Sequence, residues 1–417
     1  MAGLQPPPAG LAPEQHAGDP TAPMALYVHI PFCLSRCHYC DFNTYAGMDG
    51  WMGAYVSALG REALQLAESA SAAPRLASIY LGGGTPSRLS PADLTCLVAA
   101  ILQAFTLEPS AELSLEANPG ELAPAFLESA RSLGFNRISL GMQAGEDQAL
   151  RFLGRRHTHA QTVEAVGRSR QAGFANLSLD LMAGVPGQDL PAWQATVERA
   201  LALEPEHVSV YALSVEPGTA LEGQVARRRV AAPDDDLAAD MLDWLDERLE
   251  GAGFLQYEIS NWARGPAGPG QQPACACRHN LTYWTNEPYL ALGAGAHGYA
   301  CGVRTANVRP IPDYVRRVEA RAAALRFPIS LAAETWRQVG AEEAARDSML
   351  LGLRLTHTGV SRAGYVARHG LPAWEAMLTV AQPLVEAGLL EWLEAGARLR
   401  LTARGRRLGN RVFRAFV

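Results

Sequence analysis

A chain of 417 residues, 48% hydrophobic and 19% charged, is long enough for two or three domains and too apolar to be disordered or fibrous. Its formal charge of -6, from 36 Lys plus Arg against 42 Asp plus Glu, offers no global field for nucleic acid or acidic lipid, so an anionic ligand must be held locally. Seven cysteines at irregular spacing without an apolar leader point to a reducing, cytoplasmic setting, where clustered thiols suggest a metal rather than a disulfide framework.

Residues 1–23 carry Pro6, Pro7, Pro8, Pro13, Pro20 and Pro23 among Ala and Gly and predict a flexible tail, with neither a secretory nor a transit-peptide pattern. No later stretch reaches about 18 uncharged apolar residues, so no membrane span is expected. From Leu26 onward β-rich runs alternate with helical patterns. The runs are LYVHI from Leu26, SIYL from Ser78, ELSLEA from Glu112, RISLGM from Arg137, NLSLDLM from Asn176 and HVSVYALS from His207. Helices are predicted over Trp51 to Leu66, Pro91 to Phe105, Leu122 to Leu133, Asp147 to Gln171, Leu190 to Leu203 and Asp234 to Leu249. Six βα units in series predict an α/β fold over 24–263, a parallel sheet curled into a partial (βα)6 barrel in preference to an open one.

The breaker-rich RGPAGPGQQP, Arg264 to Pro273, ends that series, and 264–333 reads as a linker with a separate segment. From about Glu334 to the end, helices followed by LLEWLEAGARLRLTARGRRL predict a small α+β, winged-helix-like domain. Its arginines Arg398, Arg400, Arg404, Arg406, Arg407, Arg411 and Arg414 read as a solvated or domain-docking face rather than a DNA surface.

Directly after the first strand, HIPFCLSRCHYCDF holds Cys33, Cys37 and Cys40 with three and then two residues between them. Three thiolates can bind three irons of a [4Fe-4S] cluster and leave the fourth iron without a protein ligand. The competing chemistry is a Cys3His zinc site completed by His29 or His38. Cys96, Cys275 and Cys301 show no pairing logic, and the CxC of Cys275 and Cys277 reads as a plain loop ahead of a metal site.

The ends of the predicted strands carry a second signal, because βα folds place their sites there. Gly82, Gly83, Gly84, Thr85 and Pro86 follow the second strand, Glu116, Asn118 and Pro119 the third, Gln143 the fourth, and Asp180, Gly184, Pro186 and Gly187 the fifth. Carboxylates and amides suit a ligand with ribose hydroxyls and an ammonium group, while each residue singly reads equally well as a cap or a tight turn.

With YVHIPFC, CHYCDF, YLGGGTPS, LEANPG, SLGMQ, YEISNWA and CRHNLTYW in place, the chain from Leu26 to its C-terminus resembles the radical S-adenosylmethionine (SAM) oxygen-independent coproporphyrinogen III oxidase-like family. The resemblance implies a [4Fe-4S] cluster on Cys33, Cys37 and Cys40 whose open iron takes the amino and carboxylate groups of SAM. By motif position it implies SAM contacts at Tyr27, Tyr39, Gly83, Gly84, Thr85, Glu116, Gln143, Arg155 and Asp180. The oxidases carry a further Cys two positions after the third cluster Cys; here Phe42 stands there, which sets decarboxylation of coproporphyrinogen in porphyrin biosynthesis behind the family's haem-chaperone branch.

That branch implies haem, a haem-accepting protein such as a respiratory one, and an electron donor as partners, with room for a dimer. The HNxxYW of CRHNLTYW resembles its haem-associated motif, implying haem contacts at Arg278, His279, Tyr283 and Trp284, with imidazole as the iron ligand. The alternative is that His279 and Asn280 satisfy buried backbone groups under the barrel. His297 and Cys277 are weaker haem candidates.

Overall fold

The computed structural model describes residues 22–268, 270–320 and 326–417; of the tail expected over 1–23, only the last two residues lie among them. The six expected strands form, as β1 (Met24–Ile30), β2 (Arg75–Gly83), β3 (Thr106–Ala117), β4 (Arg137–Gln143), β5 (Asn176–Ala183) and β6 (His207–Ala212), all parallel and adjacent in chain order. β4 is buried at every position, as a parallel strand covered on both faces must be. Helices α1 (Met52–Ser69), α2 (Pro91–Ala104), α3 (Pro124–Ser132), α4 (His159–Gln171), α5 (Leu190–Leu201) and α6 (Asp235–Gly251) cross between them. Side-chain caps set several of their starts: Ser90 accepts from Asp93 N, Asp189 from Ala192 N, and Thr158 with Gln161 forms a capping box.

Three expectations are corrected. The helix predicted from Asp147 to Gln171 is two, because Gly154 turns the chain with φ +75° and a Cβ there would meet His38 at 2.9 Å. Residues 264–333 are not a linker but continue the sheet. Beyond β7 (Leu255–Glu258) and β8 (Asn261–Ala263) on the β6 side, and the short helix α7 (Arg278–Trp284), β9 (Tyr289–Leu292) adds in parallel to β1. Then β10 (His297–Ala300) and β11 (Val303–Asn307), helix α8 (Ile311–Glu319) and β12 (Ala333–Gln338) follow, the strands antiparallel; among the described residues the sheet has twelve strands. The boundary expected at 334 therefore falls inside β12 and belongs after it.

One buried carboxylate binds this extension to the barrel. Glu62 of α1, fully buried, accepts from Gly293 N (2.9 Å), Asn307 Nδ2 (2.9 Å), Tyr314 Oη (2.7 Å) and Ser330 Oγ (2.6 Å). Burial pushes its carboxyl above the usual range, and the four donors pull it back.

The C-terminal domain is α9 (Ala341–Gly352), β13 (Val360–Ser361), α10 (Arg362–His369), α11 (Leu371–Glu386), β14 (Leu390–Leu393) and β15 (Arg398–Leu401), the winged-helix-like order expected. It packs on its own core around Met349, Trp374, Leu399 and Val412. It lies along the edge strand β7, where Thr356 Oγ1 donates to the Gln256 carbonyl (2.8 Å) and Arg406 to the Gln256 side chain.

Candidate functional site

The cysteine loop leaves β1 at Pro31 and is pinned at several points. His38 N donates to Leu153 O (3.0 Å), Leu221 N to His38 O (2.7 Å), and His29 Nε2 pairs with Asn43 O (2.9 Å). Asn43 Nδ2 in turn donates to Ala294 O (2.9 Å) and Arg309 O (3.0 Å), so the sheet extension also holds the loop. All three thiols face hydrogen-bond partners: Thr85 Oγ1 to Cys33 (3.6 Å), Arg155 Nη1 to Cys37 (3.3 Å) and Thr44 Oγ1 to Cys40 (3.7 Å). Burial, and then the other two thiols, push the Cys33 thiol up to about 11 against the Thr85 hydrogen bond. Three thiols crowded together and half-buried suit a cationic centre that would hold them as thiolates.

Of the two histidines that could complete a zinc site, His29 is committed elsewhere. His29 spends its ring nitrogens on Tyr27 Oη (2.9 Å) and Asn43 O, and His38 Nδ1 pairs with Phe152 O (2.7 Å). Among the described residues no three His, Cys, Asp or Glu groups are placed to hold a single ion, whereas a cubane spreads its thiolates over three irons.

The loop roofs a cavity of about 390 Å³ that runs down the barrel lumen. It brings together Cys33, Cys37, Cys40, Tyr39, Gly83, Gly84, Thr85, Glu116, Gln143, Arg155 and Asp180, with the exposed Phe42 at its rim. Tyr27 stands apart: it does not line this cavity but stacks on Tyr80 from behind (6.3 Å, 24°). The glycine run serves packing more than ligand approach, since a Cβ on Gly83 or Gly84 would meet His29 at 2.3 Å or Ile30 O at 2.7 Å. Gln143 holds a left-handed backbone at φ 63°, a strained conformation typical of sites.

Two half-buried carboxylates line the same lumen. Glu116 accepts from Tyr80 Oη (2.9 Å) and Gly83 N (3.1 Å); burial and the charge of Asp180 push it up to about 7. Asp180, bonded by Ser139 Oγ (2.9 Å), is raised by burial against Arg155 and Arg137. Arg155 reaches its thiol because Gly141 has no side chain; a Cβ there would lie 2.2 Å from Arg155 Nη2. Arg155 Nε is buried without a partner. Acceptors for hydroxyl and ammonium groups, a guanidinium with a free donor and three thiols form a set that fits SAM beside a cluster.

The strand-end reading missed the deeper wall: Arg137, Ser139, Ser178, His207 and Ser209. Its signal was present as period-two alternation, in RISLG, NLSLD and HVSVY, where polar residues at every second position share the lumen face. The register carries that face across the sheet, pairing Glu116 with Ser139, Ser139 with Ser178, and Asp180 with Ser209.

Helix α7 closes the floor. Glu112 accepts from Arg278 N (3.1 Å), His279 N (3.1 Å) and Cys277 Sγ (3.4 Å). His279, 1% exposed, pairs Nδ1 with Ser78 Oγ (2.9 Å) and Nε2 with Tyr283 Oη (2.8 Å), and burial pushes it down to about 3, so it is neutral. As placed, it offers no ring nitrogen to an iron; this is the buried-polar alternative. Arg278 is exposed and donates to Ser110 O, while Trp284 lies under the Arg354 guanidinium of the C-terminal domain (4.5 Å). Cys277 is buried at the floor and His297 is exposed at the start of β10.

A partial barrel with three thiols at its mouth and carboxylates facing its lumen defines a radical SAM protein, and residues 27–200 match the Radical SAM superfamily while 339–408 match the HemN C-terminal domain. The chain is 38% identical over 396 residues to the heme chaperone HemW of Bacillus subtilis (strain 168), covering 94% of this chain and 99% of that one. It is equally 38% identical over 418 residues to the heme chaperone HemW of Mycobacterium tuberculosis (strain ATCC 25618 / H37Rv), covering 98% and 97%. The chain belongs to the HemW family. Among solved structures, the coproporphyrinogen III oxidase HemN from Escherichia coli superposes with a TM-score of 0.80 at 23% identity, over 95% of this chain and 91% of that one, and so shares its fold.

Proposed function

We propose that this protein is a haem chaperone of the cytoplasm: it holds a [4Fe-4S] cluster on Cys33, Cys37 and Cys40, binds SAM across the lumen rim, and passes haem to haem proteins, respiratory ones among them. The observation that carries the reading is the end-to-end similarity to curated heme chaperones. The fold alone does not separate this role from coproporphyrinogen oxidation, since HemN shares it. Phe42 supports the chaperone reading: 64% exposed at the cavity rim, it stands where, by the family resemblance, the oxidases carry a thiol. Among the described residues no helix is long and apolar enough to cross a membrane.

When bound, the cluster and SAM supply one-electron chemistry and an open iron position. The chain's own residues do the rest. Thr85, Arg155 and Thr44 place donors on the thiolates, Glu116 and Asp180 accept from the ligand's hydroxyl and ammonium groups, and Tyr39 offers adenine an aromatic face. Haem contact is assigned by motif to the Arg278–Trp284 segment, whose Arg278 alone is exposed as folded.

The test is anaerobic: reconstituted, reduced protein is given SAM with either haem or coproporphyrinogen III, and 5'-deoxyadenosine and porphyrins are followed. Stable haem uptake and transfer to an apo-haem protein, without porphyrin conversion, is expected. Protoporphyrinogen formation would overturn the assignment.

A further inference from the structure

Between the floor helix and the rim carboxylate stands one side chain. Tyr80 points inward from β2, and its hydroxyl donates to Glu116 Oε1 at 2.9 Å. The ring of His279 stacks on its ring (5.1 Å between centroids, 27° between planes), and Tyr27 stacks on it as well. His279 is itself fixed to the same strand through Ser78, two residues before Tyr80. Gly82 makes the arrangement fit, since a Cβ there would meet Tyr80 Cε1 at 2.8 Å and Glu116 Oε1 at 3.0 Å. From below, the C-terminal domain clamps α7: Arg354 covers Trp284, and Asn286 Nδ2 donates to Ser348 Oγ (3.0 Å).

We infer that Tyr80 is a positioning residue that links helix α7 to the ligand-facing carboxylate of Glu116, so that any shift of α7 is felt as a change in SAM affinity. The inference rests on the reading of the rim as a SAM site. It assigns His279 a role inside the protein: its ring sets the tilt of Tyr80, and the Tyr80 hydroxyl sets which way Glu116 Oε1 faces. Binding free energies couple reciprocally, so SAM at the rim equally biases the position of α7.

A double-mutant cycle tests it. SAM affinity is measured by calorimetry on anaerobically reconstituted wild type, Tyr80→Phe, His279→Gln and the double variant, with cluster absorbance and Tm as controls. Tyr80→Phe keeps the ring and loses only the hydroxyl; with Glu116 no longer oriented toward the ligand, SAM binding should weaken about tenfold at unchanged cluster content. His279→Gln should weaken SAM severalfold in the wild-type background and add nothing in the Tyr80→Phe background. Wild-type affinity in Tyr80→Phe, or two effects that simply multiply, overturns the link. If wild type itself binds no SAM, the reading of the rim fails instead. The link is then decided by the Glu116 carboxyl 13C resonance, assigned with Glu116→Gln, which must move in both single variants.

Discussion

Replacing Gly141 with Ala isolates what Arg155 does at the cluster mouth without altering its charge. Gly141 has an ordinary backbone conformation, so Ala costs nothing there in φ; the whole effect is steric. The new Cβ would lie 2.2 Å from Arg155 Nη2 and 3.0 Å from Gln143 Nε2, so the guanidinium must withdraw. It then gives up the Gly141 carbonyl (2.7 Å) and the Cys37 thiolate (3.3 Å). A charge-assisted hydrogen bond from Arg155 to the ligand, lost with the withdrawal, contributes about 1.5–3 kcal/mol, which at 1.4 kcal/mol per decade is roughly 10- to 150-fold in binding. We expect SAM affinity of the reconstituted protein, measured by calorimetry, to fall by that factor, with the cluster more quickly lost to a chelator. Gly167→Ala on α4, where a Cβ meets nothing within 4 Å, serves as control and should leave both unchanged. SAM affinity and cluster retention in Gly141→Ala equal to wild type would refute the role given to Arg155.

Changing Cys33, Cys37 or Cys40 singly to Ala should abolish the iron-sulfur absorbance of anaerobically reconstituted protein; a full cluster in the triple variant would sink the ligand assignment. Because burial and Asp180 raise Glu116 to about 7, its accepting, ionised form predominates only above that pH. SAM affinity should therefore fall about tenfold between pH 8 and pH 6, and Glu116→Gln should flatten that profile at a weaker level; an unchanged slope would clear Glu116 of contact with the ligand. Glu62→Ala strands four buried donors at about 1–3 kcal/mol each, a large share of the stability of an ordinary domain, and should yield insoluble protein. Glu62→Gln keeps the shape and part of the bonding and should instead lower Tm measurably while leaving SAM affinity near wild type.

The barrel was legible because each parallel strand is a short apolar run bounded by breakers, and the cysteine spacing needs no context to suggest a cluster. The sheet extension was not. YLAL, HGYA and VRTAN are four or five residues long, and they are held by Glu62, a carboxylate on a helix over two hundred residues earlier, which no local pattern reports. The lumen was half legible: strand ends drew attention to Glu116, Gln143 and Asp180, while Ser139, Ser178 and Ser209 sat in plain alternation one step deeper. His279 shows the limit of motif reasoning, since the same HNxxYW spacing serves an exposed ligand or a buried pillar, and only Ser78 and Tyr283, distant and near in sequence, decide which is seen here.

An unclosed barrel leaves two strand edges, and unpaired edges are templates for pairing with other chains. On one side β12 ends the sheet with Glu334, Thr335 and Arg337, two charges and a hydroxyl that make it a poor template. On the other, β7 carries LQYE and has no such protection of its own; the C-terminal domain lies along it and occupies the Gln256 carbonyl. Removal of residues after 339 would thus strip a guard as well as a domain, and the truncated chain would be expected to self-associate edge to edge even with its cysteine loop and lumen intact.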